Sequence, residues 1–192
     1  MTANGLVFSG PITHPATTKL RNAICGAVNG VFAGQNNQKC EKLFLLMNSS
    51  GGSLDDGFSL YNLLRTIQTE VVTVNMGQIA SIANVPFLAG SHRIACPHSY
   101  FHFHNFDWNY PSAHTLTRQQ FTDHTQLIDI ARVNKKALFK AHTKLTEADF
   151  ETLKFLEEPL VKDAAFAKAK GIVQEIAFPV LPAGTPIFNV DY

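Results

Sequence analysis

A chain of 192 residues with 45% hydrophobic side chains is long enough to bury a core as one domain, without metals or disulfides. Its 16 Lys and Arg against 15 Asp and Glu leave a formal charge of +1, which excludes a nucleic-acid footprint or an acidic interaction tail. Cys25, Cys40 and Cys96 are odd in number, far apart and without C-x-x-C spacing, so no disulfide framework or zinc ribbon is encoded and a cytoplasmic protein is expected.

The N-terminus MTANGLVFSGPITHP lacks the basic and apolar regions of a secretion signal, and GLVFS, residues 5–9, reads as a first strand closed by Gly10 and Pro11. A helix is expected from about Thr17 to Val31, with Leu20, Ile24, Ala27 and Val31 on one face, followed by a loop from Gly34 to Gln38. LFLLM, residues 43–47, is apolar on both faces, as in a strand of a parallel sheet with helices on either side. After the turn NSSGGS comes an amphipathic helix with Leu54, Phe58, Tyr61 and Leu64 at helical spacing. VVTVNM (71–76) is the next strand, followed by a Gly-Gln turn and a helix over IASIANVPFLAG. RIAC (93–96) and SYFHFHNF supply two further strands. The uncharged run Val71 to Ser91 is too polar and too broken by Pro86 to span a bilayer, so no membrane partner is expected. From about Thr117 to His142 the pattern is one long helix with Leu127, Ile130, Ala131, Leu138 and Ala141 along one side, lacking a neighbour in the sheet and so free to project. A helix from about Lys162 to Lys170 stops at Gly171, IVQEI is a last short strand, and the tail with Pro179, Pro182 and Pro186 should be extended. The sum is an α/β fold on a mostly parallel, crossover-connected sheet, whose strand C-termini carry the ligand-binding loops.

Three stretches could carry chemistry. Ser81 follows a strand at a helix start, where a serine is either an N-cap or a hydroxyl projected beside helix N-terminal amides. Gly51-Gly52 is either a plain turn or a sharp backbone reversal whose N–H groups are unblocked, as an oxyanion hole demands. His102 and His104 share a strand face while Phe101 and Phe103 take the other; an imidazole there can act as general base, and a pair at i, i+2 also suits zinc. A third zinc ligand would have to come from His98 or His92, and no carboxylate or cysteine sits at a persuasive spacing, so metal-free chemistry without a cofactor is expected.

These residues resemble the caseinolytic protease proteolytic subunit (ClpP) family. NSSGGS is similar to the family's N-S-P-G-G-S, MGQIASI to M-G-Q-A-A-S-M, HFHNF to M-I-H-Q-P, and GLVFSGPI to I-I-F-L-G-G-P-I, with the closing GIVQEI also in order from about Gly5 to Ile176. The resemblance implies a serine peptidase of the ClpP/crotonase-type fold, acting on peptides or unfolded chains. Ser81 would be its nucleophile, His104 its base, and Gly51 or Gly52 with the Ile82 N–H its oxyanion hole. His102 matches an apolar family position. For the acid, counting back from Gly171 lands on Pro159, and counting forward from Ala141-His142-Thr143 lands on Glu157. Glu157 and Glu158 are therefore the candidates, with Asp163 or a dyad as fallback.

The resemblance further implies a homo-oligomeric ring and one domain over 1–192. Its head would span about 1–112 and 155–178, its handle about 113–154 and its tail 179–192. The chain begins almost at its first strand, so the family's segment that contacts an AAA+ unfoldase is expected to be mostly missing. FDWNYPSAHT stands where the family has a glycine-rich, peptide-binding strand. The other readings are a non-catalytic ring scaffold and an acyl-CoA hydratase or hydrolase of the same superfamily.

Overall fold

The computed structural model describes residues 2–31, 39–106 and 117–190. The loop expected at Gly34 to Gln38 and most of FDWNYPSAHT lie outside them. Strand β1 (Ala3–Ser9) leads into α1 (His14–Asn29). This helix starts earlier than its apolar face indicates, because the Thr13 hydroxyl caps the Ala16 amide and Pro15 fits a first turn. Leu20, Ile24 and Ala27 are fully buried, but Val31 lies beyond the left-handed Gly30 cap and is exposed, contrary to expectation.

β2 (Lys42–Ser49) pairs in parallel with β1 on one side and with β3 (Glu70–Ala80) on the other. It is buried on both faces, but helices cover only one. Leu43, Leu45 and Met47 join the large core beneath α1 and α2 (Leu54–Thr66). Phe44 and Leu46 face a smaller cluster of Val72, Val74, Ile94 and Cys96, closed by Ala177 and Leu181 of the C-terminal segment. The expectation of helices on either side is thus corrected: the tail packs where the second helical layer was expected, and β8 (Ile187–Asn189) extends the sheet beyond β1. In α2 the buried positions are Asp56, Gly57, Leu60 and Leu64, with Leu54, Phe58 and Tyr61 only partly covered.

β3 runs through the expected Gly77-Gln78 turn. The Asn75 and Asn48 side chains accept from the Gly77 and Gln78 amides, and the ladder shifts register between Met47 and Ser49 to resume at Ile79. The extra length lets β3 fork, its first part pairing with β4 (His92–Ala95) and its last residues with β5 (Tyr100–Phe103). β4 also holds the short β7 (Glu175–Ile176). One strand absent from the sequence reading, β6 (Leu160–Asp163), lies antiparallel on β5 and precedes α6 (Ala164–Ala169). The order β6-β5-β3-β2-β1-β8 sets the ends of β3 and β5 side by side.

The long helix α4 (Arg118–His142) begins on a Thr117–Gln120 capping box. Only Ala131, Lys135 and Phe139 are buried, one i, i+4 row. Leu127 and Ile130 are exposed instead of lining the expected stripe, because the buried row of the helix begins only at Ala131. The short α5 (Glu147–Thr152) follows.

Candidate active site

After Ala80 the chain enters a single 3-10 turn, Ser81–Ala83, and then α3 (Asn84–Leu88). The N-cap of that turn is Ala80 and no side chain caps it, so Ser81 is not the capping serine. Ser81 has φ 56, the left-handed region, at a cost of about 1–2 kcal/mol for a residue bearing a Cβ. Such a conformation persists where the surroundings over-determine it, and a serine on a sharp strand-to-helix turn has its hydroxyl lifted clear of both elements. The side chain is half-buried above the fully buried Ile82 and Ala83.

The glycine turn packs directly on this serine. A Cβ at Gly51 (φ 86) would stand 2.7 Å from both the Ala80 oxygen and Ser81 Cβ, and 3.1 Å from the Ile82 nitrogen. A Cβ at Gly52 would stand 2.2 Å from the Ile12 carbonyl oxygen. The turn is pinned there by Ile12 N–H donating to Gly51 O (2.8 Å) and Ser53 N–H donating to Ile12 O (2.7 Å). The Gly51 amide is taken up by Ser49 Oγ (3.2 Å), while Gly52 is exposed.

The imidazoles come from the neighbouring strand. Phe101 and Phe103 are fully buried; His102 and His104 lie half-buried with ring centroids 5.0 Å apart. Ala80 is level with His102, so Ser81 and His104 both lie just past the end of the β3–β5 ladder. Asn84, 1% exposed, bolts the two halves together: its Nδ2 donates to Ser81 O (3.0 Å) and to His102 O (3.1 Å). Its Oδ1 is buried without a hydrogen-bond partner among the described residues. The sequence reading passed over Asn84 as part of an apolar helix; a buried asparagine three residues after a candidate nucleophile was the available signal.

Where an acid would stand, the antiparallel register Phe103↔Leu160 brings Pro159 level with His104. Glu157 and His104 line one cavity of about 350 Å³ with His102, Asn105 and Pro159. A second cavity of about 330 Å³ is bounded by His104, Phe106, Arg132, Lys135 and Glu157. Glu158 instead pairs with Lys154 at 2.5 Å, both side chains more than half exposed. Asp163 accepts from the Phe166 amide as the cap of α6 and lies level with Tyr100, well back along β5. The turn before Glu157 carries two left-handed residues, Lys154 (φ 45) and Leu156 (φ 72). Between them Phe155 is wedged against Phe103, Phe139 and Phe150, with centroids 4.6, 5.2 and 5.6 Å away. Aromatic packing thus holds the turn in a conformation its backbone resists.

Lys135 was also missed. It occupies the buried row of α4, and its Nζ donates to His104 O at 3.2 Å. Desolvation brings its ammonium down from 10.5 to about 7. A lysine in phase with Ala131 and Phe139 was the sign in the sequence. Among the described residues no group of three or more His, Cys, Asp or Glu could hold a metal, and His92 is turned to Glu175 at 3.3 Å. No helix among them is long and apolar enough to cross a membrane.

The family model described as Clp protease matches residues 12–179. ATP-dependent Clp protease proteolytic subunit 2 of Prochlorococcus marinus is 29% identical over 137 residues, covering 70% of this chain and 66% of that protein, slightly under two thirds of its length. Proteolytic subunit 1 of Frankia casuarinae is 30% identical over 104 residues, covering 53% of this chain and 46% of that one. Among solved structures, a ClpP1 mutant from Listeria monocytogenes superimposes with TM-score 0.71 over 92% of both chains at 17% identity, a likeness of fold. With the family model spanning both the strained serine turn and the histidine strand, the chain belongs to the Clp protease family.

Proposed function

We propose that this chain is a serine peptidase acting on peptides or unfolded polypeptides through an acyl-enzyme. Ser81 Oγ attacks the scissile carbonyl, and His104 takes its proton and returns it to the leaving amine. The Gly52 and Ile82 amides bind the oxyanion, the Gly51 amide being occupied by Ser49. Glu157 orients the imidazole, since it lines the cavities at His104 whereas Glu158 is turned to Lys154. The observation that carries the reading is the left-handed Ser81 pressed against Gly51, a contact no side chain at position 51 would permit.

The chain assembles as a homo-oligomeric ring in the cytoplasm and needs no metal or cofactor. The exposed Phe121, Leu127, Ile130 and Val133 of α4 support contact between copies. The relatives are subunits of ATP-dependent proteases, which makes an ATP-driven unfoldase the natural source of substrate.

The test is hydrolysis of a fluorogenic peptide. Ser81→Ala and His104→Ala should each abolish turnover, by a factor on the order of 10⁴–10⁶, and the double variant should be little worse, because such groups act as a unit. Their melting temperatures should remain near that of the wild type. An active Ser81→Ala protein would end the serine mechanism.

A further inference from the structure

α4 passes behind the end of β5 with Ala131, Lys135 and Phe139 turned inward. In that row Lys135 is 1% exposed, and no carboxylate pairs with it among the described residues. Its contacts are the main-chain oxygen of His104 and the face of Phe106, whose centroid lies 4.5 Å from Nζ. A buried ammonium with no counter-charge is costly, so its retention at this one place calls for a cause. The adjoining strand supplies it. Pro159, level with His104, has no N–H and cannot donate a ladder hydrogen bond to the backbone there.

We propose that Lys135 is a positioning residue for the general base: its ammonium holds the His104 carbonyl at the point where β6 enters on a proline and cannot, and so fixes the imidazole relative to Ser81. The inference rests on the reading of His104 as that base. Its consequence is an unusual pH dependence. Desolvation brings Lys135 to about 7, so the donor loses its charge just above neutrality and the charge-assisted bond weakens. Among the described residues, the other charged or titratable groups lining the cavity at Lys135 are Arg132 and Lys136 on α4, Glu157 from the turn, and His104 itself. Arg132 is engaged by Asp129 and Asn105, and Lys136 by Glu147. For stability the sign is opposite to that for catalysis. Between about 7 and 10.5 the unfolded chain keeps a proton that the folded chain has released, so the fold gains stability as pH rises through that window.

The experiment measures kcat, KM and melting temperature from about pH 6 to about pH 10 for the wild type, Lys135→Met and Lys135→Arg. In the wild type kcat should fall above neutrality while the melting temperature climbs, a divergence that a purely structural lysine does not produce. Lys135→Met should lower kcat about tenfold or more, with KM within about twofold, and lose both trends. Lys135→Arg keeps its charge and should retain kcat without the alkaline fall; if the methionine variant does not fold, this profile decides alone. A methionine variant with wild-type kcat, or a wild-type kcat flat across the window, would overturn the inference and leave the peptidase reading intact. A wild type that neither hydrolyses peptide nor reacts with a fluorophosphonate at Ser81 would overturn the peptidase reading, and the positioning role with it.

Discussion

The serine side and the histidine side of the site are built by different means. Around Ser81 the geometry is made of backbone: the end of β3, a left-handed turn, and a glycine turn hydrogen-bonded to Ile12 through Gly51 and Ser53. Around His104 it is made of side chains delivered from distant segments, Lys135 from α4 and Glu157 from a turn propped on Phe155. A backbone device tolerates no added atom, while a side-chain device degrades by increments.

The sharpest break is at the glycines. Gly51→Ala would drive a Cβ into Ala80 O and Ser81 Cβ at a φ of 86, and Gly52→Ala into Ile12 O. Each should destabilise by about 3 kcal/mol or more and abolish turnover, read as lost activity together with a lowered melting temperature. If Gly52→Ala melts like the wild type, the close approach to Ile12 does not hold.

On the other side the effects should be graded. Glu157→Gln should lower kcat roughly a hundredfold with little change in KM, well short of the approximately 10⁴ of a buried triad aspartate. Asn84→Ala removes the side-chain bonds that tie Ser81 O to His102 O and relieves one orphaned Oδ1; a loss of about 1–2 kcal/mol in denaturant unfolding is expected, with kcat down about tenfold. Glu158→Gln removes an exposed pair with Lys154 and should change neither kcat nor stability measurably. If Glu158→Gln rather than Glu157→Gln is the impaired variant, the turn holds its carboxylates in the opposite sense from the one described.

The same contrast explains what could be read from the sequence. The parallel strands, NSSGGS and the serine turn were legible because glycines, apolar runs and strand ends announce backbone geometry locally. The extension of β3 to Ala80 was not, because it depends on Asn48 and Asn75 reaching across to the Gly77 and Gln78 amides. β6 was hidden because LVKD has partly exposed residues on both faces and owes its state to pairing with β5. The acid position was ambiguous for a concrete reason: the register puts Pro159 level with His104, and Glu157, the carboxylate lining the cavity among the described residues, is carried by a turn with two left-handed residues. No periodicity encodes that turn; the packing of Phe155 does. The burial of Lys135 and Asn84 depends on the same long-range packing, which explains why a charged and a polar side chain escaped notice in apolar rows.

Labelling with a fluorophosphonate probe, followed by mapping of the modified peptide, tests most directly whether these two sides form one active site. The wild type should be modified at Ser81 alone, His104→Ala should react at least about a hundredfold more slowly, and Ser81→Ala should not react. Modification at any other serine, or an equal rate in His104→Ala, would contradict the account.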